Sequence, residues 1–177
     1  EDVSSHLGNT TGRVTVGLSP AVAVLFSPGA VARFRRRWPH ARVCIRDVLY
    51  PQALHQLRRG DLDFVLGPVP ATGVGADLLC QVLFHSQEVI GARRGHPLAK
   101  VRKLKNLSDA SWILVGPARG PGDPQHLHLE ERGMPPPKVP LECESFFSLL
   151  SLMPTQDVIG IMPRSFLTRH GRRAGLV

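Results

Sequence analysis

Residues 13–20 read RVTVGLSP. Arg13 to Leu18 alternates as a β-strand does. Ser19-Pro20 then reads as a helix start, with serine at the N-cap position and proline in the first turn. Downstream, Val22, Phe26, Ala30, Phe34 and Trp38 recur every four residues, which predicts one apolar helix face. Pro28 lies inside that pattern and is expected to kink or split the helix, and Pro39 to end it. Residues 42–48 form a second strand, with Val43 and Ile45 on one side. Pro51 opens a short helix carrying Ala53, Leu54 and Leu57, closed by Gly60 as a C-terminal cap. Residues 63–67 (DFVLG) are apolar enough for a third strand buried on both faces. Strand, helix, strand, helix, strand in that order implies parallel strands joined by right-handed crossovers, a doubly wound half-domain.

Working outward, residues 68–77 (PVPATGVGAD) are loop chemistry. Two strand-like stretches follow, 78–84 and 87–92, joined at His85-Ser86, and this extended run is a candidate crossing into a second lobe. The expected division is a tail over 1–11, a first subdomain over 12–86 and a second over 87–177. The second should hold a strand at 112–115, a helix at 125–132 and a strand at 139–143. A helix from Phe146, a strand at 158–162 and a helix opening at Pro163 complete it. Pro135-Pro136-Pro137 reads as a stiff connection.

Composition bounds the function. Of 177 residues, 42% are hydrophobic and 20% charged, the balance of an ordinary soluble globular chain. No run of about 18 apolar residues offers a membrane span. The opening EDVSSHLGNTTG begins at Glu1 and lacks the basic-then-apolar order of a signal peptide, so a fragment or processed form is expected. Cys44, Cys80 and Cys143 are odd in number and far apart, without zinc or CxxC spacing. They read as ordinary buried thiols in a reduced, cytoplasmic setting. The formal charge of +8 invites a nucleic-acid reading. Its clusters, however, at Arg33, Arg35, Arg36 and Arg37 and across residues 93–105, lack interleaved aromatics. Solvated faces, or faces that assist a larger DNA-bound assembly, fit better.

Gly17-Leu18-Ser19-Pro20-Ala21 stands where a hydrolase's G-x-S-x-G elbow would stand, between strand and helix. Its last position is alanine, and Pro20 removes the N–H that would be a principal oxyanion donor. Ser19 therefore reads as a capping serine whose hydroxyl and neighbouring amides face a cleft, and no catalytic residue is assigned. His126 and His128 stand two apart, about 200° around a helix, and cannot share an ion there, so no metal or cofactor is expected. Gly60-Asp61-Leu62-Asp63 reads as a turn rather than a carboxylate pair. Gly116-Pro117 begins a glycine-rich run without the G-K-[ST] ending of a phosphate loop. In open α/β sheets ligands bind beyond the carboxyl ends of the strands. Four such ends are Ser19-Pro20-Ala21, Gly67-Pro68, Gly116-Pro117 and Ser145, all expected to face one cleft. Two of them open helices, whose exposed N–H groups favour an anionic ligand.

From about Thr11 to Val177 the sequence resembles the effector-binding domain of LysR-type transcription regulators. The resemblance rests on GRVTVGLSP, FRRRWPHARV, LRRGDLDFVLG, RRGHPLA and DVIGIMP, taken in order and spacing. The LYP…LDFVLGP stretch is also similar to a subgroup containing toluenesulfonate-operon and galactose-binding-protein regulators. The resemblance implies a two-lobed α/β fold like the type 2 periplasmic binding proteins, with mainly parallel sheets flanked by helices and an interlobe cleft. It implies ligand contacts at Ser19 to Ala21, at Gly67 and Pro68, and at Gly116 and Ser145. It further implies pairing into homodimers or higher homo-oligomers, and DNA binding only through a winged helix-turn-helix that this chain lacks. The family continues past the residues 157–163 strand back to the first lobe, so that return is expected to be missing here. A periplasmic solute-binding protein of a transporter would share the fold and is the alternative; a serine hydrolase is third.

Overall fold

The computed structural model describes residues 12–70, 73–116, 118, 120 and 123–177. The tail expected over 1–11, Pro117 and the His126 side chain lie outside the described residues. The chain divides into two compact units, Glu1–Leu79 and Cys80–Val177.

In the first unit, β1 (Arg13–Leu18) is followed by α1 (Pro20–Arg37), β2 (Arg42–Asp47), α2 (Gln52–Arg58) and β3 (Phe64–Leu66). The sheet order is β2-β1-β3, all parallel, with Leu18 opposite Asp47 on one side and Leu66 on the other. The chain thus steps outward from β1 to β2 and then crosses back past β1 to β3. Right-handed crossovers in opposite directions place the two helices on opposite faces of the sheet. Gly17 is required by close approach: a β-carbon there would lie 2.7 Å from Val48 Cγ2 and 2.9 Å from both Leu62 Cδ1 and Val65 Cγ2. The approach to β3 is held to β1 at Asp63, whose Oδ2 accepts from the Thr15 N–H (2.6 Å) while its own N–H donates to Thr15 O (2.9 Å). Val48, Ala53 and Leu62 form a small core with Leu57 and Val65 packed against it. Arg58 secures the loop beyond β3 through Asp77 (2.6 and 3.0 Å) and Val74 O (2.8 Å).

Three expectations for this unit are corrected. Pro28 does not split α1, which runs from Pro20 to Arg37 with the proline inside it. The residues spaced by four do not share one buried face, since Phe26, Ala30 and Trp38 are exposed. Steps of four overshoot a turn by about 40° each, so five such residues fan around the helix. The half-buried stripe instead follows threes and fours through Ala23, Ser27, Val31 and Phe34. Lastly, β3 is not buried on both faces. It is the edge of the three-stranded sheet, and Phe64 remains 46% exposed.

The second unit contains β4 (Glu88–Ala92), β5 (Ser111–Val115), β6 (Lys138–Cys143), α3 (Phe146–Leu152) and β7 (Ile159–Pro163). A short α4 (Arg164–Phe166) continues into a π turn at Leu167–Gly171. The sheet order is β4-β7-β5-β6, with β5 parallel to both neighbours and β4 antiparallel to β7. Trp112, Ile159 and Ile161 share one core with Ala92, Leu107, Leu129 and Met134. Alternation sends Ile113 to the other face, where a β-carbon on Gly160 would stand 3.0 Å from it. Phe146 of α3 meets Phe166 edge to face at 4.9 Å.

Two elements differ from expectation. Residues 78–84 form no strand, because alternation without a neighbouring strand leaves the backbone nothing to pair with. Residues 125–132 form two 3₁₀ turns, Pro124–Leu127 and Glu130–Arg132, not one helix. His128 breaks them apart in the left-handed region (φ 49°), its Nδ1 3.1 Å from Glu131 Oε1. Among the described residues, no group of three or more His, Cys, Asp or Glu could hold a metal ion.

Candidate functional site

In the first unit the strand order reverses at β1, the chain passing to β2 on one side and returning to β3 on the other, and in open α/β sheets ligands bind beyond the carboxyl ends of strands at such a switch. Ser19 and Gly67 are the residues that immediately follow β1 and β3. The Ser19 N–H donates to Leu66 O and its carbonyl accepts from Ala23 N, both at 2.9 Å. One residue thus extends the β1–β3 ladder and starts the α1 ladder. The expected capping hydroxyl is a correction: Ser19 occupies the N-cap position, but its side chain makes no cap hydrogen bond. With Pro20 lacking an N–H, the backbone bonds above carry the helix start. A β-carbon on Gly67 would sit 3.4 Å from Ser19 Cβ and 3.7 Å from its Oγ. Gly67 and Pro68 are exposed, Pro20 and Ala21 half-buried. The structure therefore brings the first-unit residues together around the Ser19 hydroxyl and the free first-turn amides of α1.

The second unit repeats the same strand order, with β5 in the middle and β6 and β7 on its two sides. Gly116 prolongs the β5–β6 ladder, donating to Cys143 O at 2.9 Å, and turns away with φ +83°, which favours glycine. Ser145 opens α3 as a true cap, its Oγ accepting from the Ser148 N–H at 3.4 Å. These two residues flank the carboxyl ends of β5 and β6. The sequence reading passed over the end of β7. Extending the Trp112–Ile159 register by four residues sets Pro163 level with Gly116, with exposed Arg164 next in the chain. By analogy with β1 and β3, β5 and β7 mark this unit's switch point. The signal was the repeated strand–helix–strand order, which becomes informative only once the pairing is known.

Chemically, both clusters offer N–H and hydroxyl donors. Ser19 is 5% exposed and is followed by a residue without an N–H, which is poor geometry for a nucleophile. A separate cavity lined by Arg13, Val14, Phe34 and Trp38 lies at the amino end of β1, the opposite end from Ser19. The expectation of buried thiols is corrected, since Cys80 is exposed and Cys44 and Cys143 are only half-buried. Burial pushes the Cys143 thiol above its ordinary range. No helix among the described residues is long and apolar enough to cross a membrane.

The family model described as the LysR substrate binding domain matches residues 7–177. The chain is 35% identical over 114 residues to the HTH-type transcriptional regulator GalR of Pseudomonas putida, an alignment covering 64% of this chain and 29% of that protein. It spans about half the length of other curated relatives it matches. Among solved structures, the regulatory domain of Synechocystis CcmR in complex with 2-PG superposes with a TM-score of 0.75 at 22% identity. That match covers 94% of this chain and 79% of the other. The BenM effector binding domain with its effector benzoate gives a TM-score of 0.67 at 16% identity, over 89% and 72% of the two chains.

Proposed function

The chain belongs to the LysR substrate binding domain family, and on that premise we propose that it is the effector-sensing part of a longer, cytoplasmic DNA-binding transcription regulator. Its ligand is a small anion. Each unit offers its own candidate anion site at the carboxyl ends of its strands: Ser19, Pro20, Ala21, Gly67 and Pro68 in the first unit, Gly116 and Ser145 in the second. The observation that carries the reading is the convergence of Ser19 and Gly67 at the β1–β3 switch point, where the Ser19 N–H is bonded to Leu66 O and free amides of α1 remain. Support also comes from BenM, a relative in fold whose effector, benzoate, is an anion. Arg164 supplies a cation at the corresponding end of β7. The chain performs no chemistry on the ligand: binding shifts the regulator between conformations that act differently on transcription.

The test is Ser19→Asp. The variant adds a carboxylate beside the α1 amides, which the helix end tolerates, and it repels an anion from the site. It is expected to fold with some loss of melting temperature, because Ser19 is only 5% exposed, while effector-dependent transcription in the longer regulator is lost. A normal effector response from this variant would remove Ser19 from the site and the site assignment with it. A solute-binding protein of a transporter shares the fold, and the residues that precede this chain in its gene separate the two.

A further inference from the structure

We propose that one face of the second unit is a contact surface for the phosphate backbone of duplex DNA. The proposal rests on how charge is placed in this unit and does not depend on the effector reading. Between Cys80 and Val177 the sequence holds thirteen Lys and Arg against eight Asp and Glu. Nine of the thirteen cations fall in two segments, residues 93–105 and 169–173, and neither segment contains an acid. The rest of the unit has four cations for eight acids, so it is net negative. Solubility alone is served by mixing the signs; here they are segregated.

The fold joins the two segments. Arg93 bridges Leu176, Arg94 N–H donates to Gly175 O at 2.9 Å, and Leu176 N–H donates to Gly171 O at 2.8 Å. The start of the first segment therefore lies against the end of the second. Within the first, Leu98, Val101, Leu104 and Leu107 pack inward at every third position. That packing leaves Lys100, Arg102, Lys103 and Lys105 exposed. Within the second, Arg169, Arg172 and Arg173 are exposed around buried Gly171. Among the described residues only Arg93 of these nine is in an ion pair, with Asp157 at 2.6 Å. Eight cations without acidic partners on adjoining segments suit an extended polyanion. Neither segment contains Phe, Trp or Tyr, so base stacking on a single strand is not served. The cations stand on turns, 3₁₀ structure and, for Arg169, the short π segment Leu167–Gly171, none of them a helix long enough to enter a groove. The contact is therefore with phosphates, without base reading.

The experiment uses the whole chain and a labelled short duplex of arbitrary sequence, followed by fluorescence anisotropy across a salt series. The wild type is expected to bind at low salt and to weaken steeply as salt rises. Arg169→Glu/Arg172→Glu/Arg173→Glu is expected to weaken low-salt binding about tenfold or more and to flatten the log–log salt slope by about 2–3. The control Arg35→Glu/Arg36→Glu/Arg37→Glu, on α1, changes net charge equally and should leave affinity and slope nearly unaltered. If the first triple variant does not fold, Lys100→Glu/Arg102→Glu/Lys103→Glu carries the same expectation. Equal loss in the control would overturn the proposal, as would no duplex binding at low salt. So would binding of single-stranded DNA or phosphatidylserine vesicles as tightly as the duplex.

Discussion

Gly17 and Gly67 stand one residue from the ends of neighbouring strands, and space explains each differently. A β-carbon on Gly17 would collide with Val48, Leu62 and Val65 at under 3.0 Å, so Gly17→Ala overpacks the first unit's core. It is expected to cost roughly 1–3 kcal/mol. A β-carbon on Gly67 would make only ordinary contact with Ser19, so Gly67→Ala should fold with little loss while filling the space beside the Ser19 hydroxyl. Melting curves of the two variants check the contrast: equal destabilisation would mean that the geometry at β1 and β3 is misread. Ser19 shows where residue-level reading stopped. The N-cap position was legible in Ser19-Pro20 itself, but the absence of a side-chain cap bond was not, because the rotamer answers to the packed neighbours of a buried side chain and not to the local motif.

At the scale of elements, legibility followed how much of an element's stabilisation is local. The strands β1, β2, β5 and β7 and the helices α1, α2 and α3 were readable because periodicity, prolines and caps agree. Residues 78–84 and 125–132 were misread because alternation and spacing say nothing of whether a partner strand exists or whether His128 adopts a left-handed turn. The α1 helix was placed well and its faces were not. That difference has a consequence for association. Phe26 of α1, Trp38 immediately after α1 and Ile45 of β2 are each about two-fifths exposed, an apolar share suited to contact between two copies of the chain. Self-association through α1 and β2 is expected in sedimentation at high concentration, and Phe26→Ser/Trp38→Ser should shift it towards monomer with a similar melting temperature. A clean monomer in the wild type would contradict this use of the face.

For the molecule as a whole, the α/β class and the parallel, right-handed connection of the first unit's strands were legible in the sequence; their order, β2-β1-β3, was not, because right-handed crossovers are equally compatible with the strands in chain order. The same order recurs in the second unit as β6-β5-β7, where a crossover through 3₁₀ turns also leaves no periodic trace. That repeat gives each unit its own switch point, and the effector reading follows from it. Its most direct test is the thermal stability of the chain across a panel of small anions, benzoate included, run in parallel on the wild type and Gly67→Ala. An anion present at about a hundred times its dissociation constant adds about 2.7 kcal/mol, or roughly 5–10 °C for a chain of this size. At least one anion is expected to raise the wild-type melting temperature by that order and to leave Gly67→Ala unmoved. A panel without any shift, or the same shift in both proteins, would contradict a ligand site at the carboxyl ends of β1 and β3.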